Sequence, residues 1–252
     1  MRTSNPVLSQ SAFSRAPAYG AEGTMTVQGT VNKSFILFFL LLISATWIWN
    51  KFLTAAYSPE MLASAVAPFM MAGAILGFIL ALVTIFKKPW AGFTAPAYAL
   101  CEGLFLGGIS VIFEMRYPGI VIQAVALTFA TLFCMLFVYK SGLIKVNRTF
   151  MLGVVSATGA VALVYLVSWI LSFFGTGVPF IYGSGPVGIL FSFVVVGIAA
   201  LNLVLDFHII ETSAQEGAPA YMEWYGAFAL MVTLVWLYIE ILRLLAKMRS
   251  RR

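Results

Sequence analysis

The chain is poor in charge: Asp, Glu, Lys and Arg make up 10% of its 252 residues, where soluble domains carry about 25%. It has one histidine, His208, one aspartate, Asp206, and two cysteines, Cys101 and Cys134. A zinc hydrolase needs at least three N, S or O ligands with His prominent, so this inventory argues against one. An intramembrane aspartyl protease needs an Asp pair, and neither a G-x-S-x-G nor a P-loop occurs. The expectation is therefore a protein that is not an enzyme and carries no bound cofactor. Both cysteines fall inside apolar runs and read as small buried hydrophobes, silent about redox compartment.

What the chain has instead is apolar length. With 62% apolar side chains and a mean hydropathy of +0.98, it is read as an integral membrane protein. Seven runs, at 34–54, 63–86, 94–113, 119–139, 149–174, 185–207 and 225–246, each approach or exceed the roughly 20 helical residues that cross a hydrocarbon core. They are continuously apolar, whereas barrel strands alternate, so the fold class is all-α: a polytopic bundle of seven transmembrane helices. The remainder divides into a polar, flexible N-terminal tail at 1–33 and a basic C-terminal tail at 247–252.

The formal charge of +6 is read loop by loop, because short-loop Lys and Arg set membrane orientation. With the N-terminus cytoplasmic, Arg2, Arg15, Lys33, Lys87, Lys88, Lys140, Lys145 and Arg148 share the inner face, and Lys51 and Arg116 lie opposite. The tail cations Arg243, Lys247, Arg249, Arg251 and Arg252 then fall outside after seven crossings, unless the last helix dips and returns. Such a tail suits anionic headgroups rather than nucleic acid. Turns are marked by Pro59-Glu60, Lys87-Lys88-Pro89-Trp90, Tyr117-Pro118-Gly119 and the uncharged stretch 175–186. Gly73 with Gly77, and Gly103 with Gly107, form two G-x-x-x-G patterns that permit close helix packing; the second pair has the alternative use of leaving water room beside Glu102.

Three acids inside apolar runs stand out, since an intramembrane charge costs roughly 2.5–3.5 kcal/mol on insertion scales and reads as functional by default. Glu102 lies near the middle of the third run. It is either a protonated group hydrogen-bonded to a neighbouring helix or an ion or proton ligand. Asp206 has Asn202 one turn earlier on the same face; together they offer oxygen donors of the kind Ca²⁺ accepts, or Asp206 simply marks the inner interface. Glu240 has Arg243 three residues on, so a structural ion pair competes with a functional role. Helical rise also sets Glu240 about 24 Å above Trp224, far from an Asp206 at the inner end. His208 reads as an interface residue or a pH sensor, and 211–219 as an acidic, solvated linker.

Several segments resemble the Bax-inhibitor family, specifically its bacterial YccA-like branch. They are Met1 to Leu8, Glu102-Gly103-Leu104-Phe105-Leu106-Gly107-Gly108-Ile109-Ser110, Tyr117-Pro118-Gly119-Ile120-Val121 with Gln123-Ala124, Leu201-Asn202-Leu203-Val204-Leu205-Asp206-Phe207, and Val235 to Leu245 around Glu240. The resemblance implies a calcium leak in which one acid late in the sixth helix and one in the seventh form a proton-sensitive pair. Asp206 matches the first position. Glu240 matches the second by its flanking residues, with Glu for the usual Asp and about two to three extra helical turns, the shorter spacing ending at Met231. No Lys or Arg occurs in 61–86 to act as the latch known in relatives.

Two carboxyls sharing a low-dielectric site cannot both ionise cheaply, so they titrate together and respond reciprocally to protons and Ca²⁺. The expectation is a pH-sensitive calcium leak of the bacterial inner membrane, with Asp206 and Glu240 as coupled acids and Ca²⁺ ligands, and Glu102 and Asn202 as auxiliary groups. The partners are then the lipid bilayer, Ca²⁺ and protons. The alternative is a non-transporting modulator of a membrane-anchored AAA protease or of a stress or cell-death pathway, acting through the N-terminal tail.

Overall fold

In lipid no water is available to backbone N–H and C=O groups, so each apolar run must close its hydrogen bonds internally as a helix. The computed structural model describes residues 23–53, 59–175 and 183–251. Among them are seven long helices: α1 (Val27–Leu53), α2 (Pro59–Phe86), α3 (Ala91–Arg116), α4 (Ile120–Lys140), α5 (Arg148–Phe173), α6 (Pro186–Gln215) and α7 (Met222–Ser250). A short 3-10 turn at Lys88–Trp90 joins α2 to α3. All seven are long and apolar enough to span a membrane. The all-helical reading holds, and the only bridge among the described residues is an isolated pairing of Thr24 with Pro219.

Apolar burial gives helices no reason to associate in lipid, so close approach has to come from small residues. The glycines of α3 supply it on two faces. A Cβ on Gly103 would fall 2.0 Å from Ser44 Oγ and 2.2 Å from the Leu41 carbonyl oxygen, and one on Gly107 would fall 2.8 Å from the Ala45 oxygen, so this face meets α1 backbone to backbone. Gly108 meets Met70 and Val66 of α2, whose own Gly73 lies against the Cys101 carbonyl. Packing, rather than water room, is thus the use of Gly103 and Gly107. α7 is the second axis, in contact with α1, α3, α4 and α6, while α5 packs on α6 at the periphery. Large apolar side chains such as Phe78, Phe86 and Trp169 face outward, as expected of a lipid-facing surface.

Turns and ends follow local chemistry. Gly119 takes a left-handed φ of 77° before α4, and the Glu114 carboxylate accepts from the N–H groups of Gly119 (2.5 Å) and Val121 (3.1 Å). These are among the N–H groups that the start of a helix leaves unpaired. Cys134 lies on the exposed surface, not in the core expected of it, and both cysteines are free.

Three boundaries differ from the sequence expectation. α1 begins at Val27, inside the segment 1–33 read as tail, and residues 1–22 lie outside the described part. α6 continues through Glu211 to Gln215, so most of the supposed linker is helix. Glu211 is held there by the Tyr139 hydroxyl (2.5 Å) and Lys140 (3.2 Å). At the other end α7 runs unbroken to Ser250. Arg249 donates to the Pro118 carbonyl (2.7 Å) and Gln123 (3.0 Å), and Ser250 to Ser184 (2.6 Å). The last helix is therefore long enough to cross and does not turn back. Residue 24 lies against the α6–α7 turn and Arg249 against the α3–α4 turn, at opposite ends of the bundle.

Candidate functional site

α6 and α7 run antiparallel, and the polar residues of the bundle sort along them. Near the α6–α7 turn, Asp206 borders a cavity of about 200 Å³ lined by Met25, Ile209, Ile210, Ser213, Met222, Tyr225, Gly226 and Ala229. No Lys, Arg, His or second carboxylate lines it. Its polar neighbour on α7 is Thr233. One carboxylate oxygen, Oδ2, is buried and has no hydrogen-bond partner, alone in this among buried side-chain polar atoms of the described residues. An unmet acceptor of this kind costs about 1–3 kcal/mol, more when charged. Structures retain such a group where a proton, water or ion completes it.

Asn202 does not complete it. Its Nδ2 donates to Thr158 Oγ1 and to the Ile198 carbonyl, both at 2.8 Å, which ties α6 to α5. His208 sits by the ring of Tyr139 at 6.4 Å, within the field of Glu211. It belongs to the polar cluster at the ends of α4 and α6.

Glu240 lies elsewhere. It is 2% exposed, and its two oxygens each lie 3.0 Å from the Tyr165 hydroxyl of α5. Arg243 Nη1 donates to Glu240 Oε1 (3.0 Å) and to the same hydroxyl (2.9 Å). One α-helical turn further, Lys247 donates to the Gly188 carbonyl (3.1 Å) and Ser192 Oγ (2.7 Å) of α6. Thr233, the neighbour of Asp206, precedes Glu240 by seven residues, about 10 Å of helical rise. The structure thus gives Glu240 the ion pair with Arg243 and does not bring it to Asp206. At Met231, where the shorter spacing ends, the side chain is a fully buried part of the core.

Glu102 is a third, separate environment. It is buried in α3, with the Tyr98 hydroxyl one turn earlier as its polar neighbour. Room for it comes from α2: a Cβ on Gly77 would stand 3.4 Å from Glu102 Oε2.

Two further groups bear on the site and carry little sequence signal. Glu223, in the first turn of α7, accepts from the N–H (2.8 Å) and Oγ1 (2.9 Å) of Thr26 and forms an ion pair with Lys33. Gly29 makes this possible, since a Cβ there would lie 2.1 Å from Glu223 Oε1. Thr26 in turn accepts from the Gly29 N–H (2.9 Å), capping α1. Lys33 and Glu223 were detectable only as opposite charges at the same end of two helices. Met25, which lines the Asp206 cavity, looks in sequence like any apolar residue.

These features define a seven-helix membrane bundle with separated intramembrane polar sites, of which the Asp206 site holds a fully buried oxygen without a hydrogen-bond partner. The model of the family described as Bax inhibitor 1 like matches residues 5–250, and the chain belongs to that family. Comparison with curated proteins found no match, and neither did comparison with solved structures.

Proposed function

We propose that this protein is a passive, proton-sensitive calcium leak of a bacterial inner membrane, of the YccA-like branch, with its N-terminus cytoplasmic and Asp206 as the cation and proton site. The observation that carries the reading is the buried, unpartnered Oδ2 of Asp206 on a cavity whose lining contains no cationic side chain. Calcium is a hard cation that takes carboxylate, hydroxyl and water oxygens in flexible geometry. Asp206, with the hydroxyl-bearing Ser213 and Tyr225 on the same cavity, offers that chemistry. A single carboxylate makes a weak site, and conduction requires binding weak enough to release the ion onward. A proton and Ca²⁺ compete for the same oxygens, so each lowers the affinity of the other.

Glu240 acts in this scheme as a structural anchor rather than as the partner of Asp206, because Arg243 and Tyr165 already occupy its oxygens. The function is transport and not catalysis. The test is ⁴⁵Ca²⁺ efflux from proteoliposomes over a pH series. Wild-type efflux should depend on pH and Asp206→Asn should remove that dependence, with Asp206→Glu restoring part of it. Efflux that is insensitive to pH in the wild type, or unchanged in Asp206→Asn, overturns the proposal.

A further inference from the structure

The Asp206 cavity lies near the end of the bundle where the chain enters α1, and the segment Gly23 to Thr26 is laid across the α6–α7 turn. Met25 N–H donates to the Ala218 carbonyl (2.7 Å), Ala220 N–H donates to the Gly23 carbonyl (3.0 Å), and Thr24 pairs with Pro219 in an antiparallel bridge. Beyond the bridge, the Glu223 carboxylate takes both Thr26 donors and binds Lys33. The strap is therefore fixed to the turn before α7 by backbone pairing and to α7 itself by a charged group. Between these two attachments the Met25 side chain turns inward. It is 3% exposed, it lines the cavity with Asp206, and its Cε stands 3.5 Å from where a Gly226 Cβ would be.

We propose that Met25 is the entrance residue of the Asp206 cavity, a flexible apolar stopper held in place by the Glu223–Thr26–Lys33 latch, and that it controls access of water and cations from this end. The cavity also borders Ile209, which is 51% exposed. That exposed apolar side suits lipid rather than a hydrated ion, and the entrance is accordingly assigned to the strap. Methionine suits such a position: an unbranched thioether fills an irregular gap without locking it. Gly226 and Gly29 are small where the stopper and the latch need space. The inference deepens the calcium reading by naming the face and the side chain through which its site is loaded, and it rests on that reading only for the identity of the ion.

The test reads access without using calcium. In full-length protein carrying Cys101→Ala and Cys134→Ala, Ala229→Cys places a thiol in the cavity one turn beyond Gly226. Its modification by a membrane-impermeant methanethiosulfonate is timed in detergent micelles. Glu223→Gln should speed labelling about tenfold, the scale of losing one charge-assisted hydrogen bond from a two-state closure, and Met25→Ala, which removes the stopper itself and leaves the latch in place, should speed it at least as much. Met25→Leu should stay slow. Equal rates in the wild type, Met25→Ala and Glu223→Gln overturn the proposal, as does a Met25→Leu rate equal to that of Met25→Ala. ⁴⁵Ca²⁺ efflux from the same variants separates the two ideas. Faster labelling with faster efflux supports both, and faster labelling with unchanged efflux supports the entrance while removing calcium as the ion. Unchanged labelling removes the entrance whatever the efflux.

Discussion

The assignment of Glu240 to structure predicts a specific energetic coupling between α5 and α7. Tyr165 donates one hydroxyl hydrogen to the Glu240 carboxylate and accepts from Arg243, so Tyr165→Phe removes two hydrogen bonds to charged groups and leaves the ion pair in place. Hydrogen bonds to charged groups contribute about 1.5–3 kcal/mol each; because the two share one hydroxyl, about 2 kcal/mol is expected in total. Glu240→Ala strands Arg243. Removing one member of a buried pair costs about 3–5 kcal/mol, and the Arg243 side chain is 34% exposed, which favours the lower figure. In the Glu240→Ala background Tyr165 retains only Arg243, so Tyr165→Phe should then cost about 1 kcal/mol. The double-mutant cycle therefore closes with a coupling of about 1 kcal/mol.

The assay is reversible unfolding in mixed micelles at fixed pH and salt, with all four proteins measured under one condition. Independent sites add to within about 0.3–0.5 kcal/mol. A cycle that closes inside that range would refute the reasoning, because it would mean that the Tyr165 hydroxyl and the Glu240 carboxylate are not energetically coupled. So would strong coupling of Asp206→Asn with Glu240→Gln in the same assay, since that result would restore the carboxyl pair which the geometry separates. α5 packs principally on α6, so loss of the Tyr165 tie should also raise hydrogen exchange selectively in α5.

Gly103→Ala forces a methyl group against the Leu41 carbonyl and Ser44 and should destabilise by about 1–3 kcal/mol. Gly153→Ala, with nothing within 4 Å of the new methyl, should be neutral or stabilising by up to about 1 kcal/mol; thermal unfolding in detergent compares the two. Fusions report the topology: with seven crossings and a cytoplasmic N-terminus, alkaline phosphatase joined after Arg252 should be active and a fluorescent protein there should be dark. The reverse pattern would reverse the orientation. Removing residues 1–22 spares the Thr24–Thr26 strap, so ion flux should persist; a loss limited to a protease-dependent phenotype would favour the modulator alternative.

The seven helices could be read from the sequence because the physical constraint is one-dimensional: a run of about 20 apolar residues is both necessary and nearly sufficient for a span. The two G-x-x-x-G patterns were legible for the same reason, although only the structure shows that Gly103 and Gly107 meet α1 and that Gly77 is the residue beside Glu102. The end of α7 was not legible. Lys247 and Arg249 look like a solvated tail, yet α6 carbonyl and hydroxyl groups receive the first and the α3–α4 turn receives the second. Glu223 was hidden differently, since its partner Lys33 is 190 residues away and neither residue forms a pattern with its sequence neighbours. Arg243 gave a correct local warning about Glu240, because a partner three residues away on a helix is within reach wherever the helix lies.

What separates Asp206 from Glu240 is therefore not the cost of entering the membrane, which both incur, but how much of that cost the surrounding protein offsets. Around Glu240 the offset is complete: a guanidinium and a phenol occupy its oxygens, and Lys247 extends the polar ladder toward the end of α7. Around Glu223 it is complete as well, through Thr26 and Lys33. Asp206 lies between these two satisfied sites along the α6–α7 interface, with one oxygen unmet and a cavity before it. A fully satisfied ion pair resists exchange with protons or cations, because its removal leaves the partner charge stranded. An unmet carboxylate gains from either. Exchange should therefore occur at Asp206, while Glu223 holds the strap above it and Glu240 holds α5 beside it.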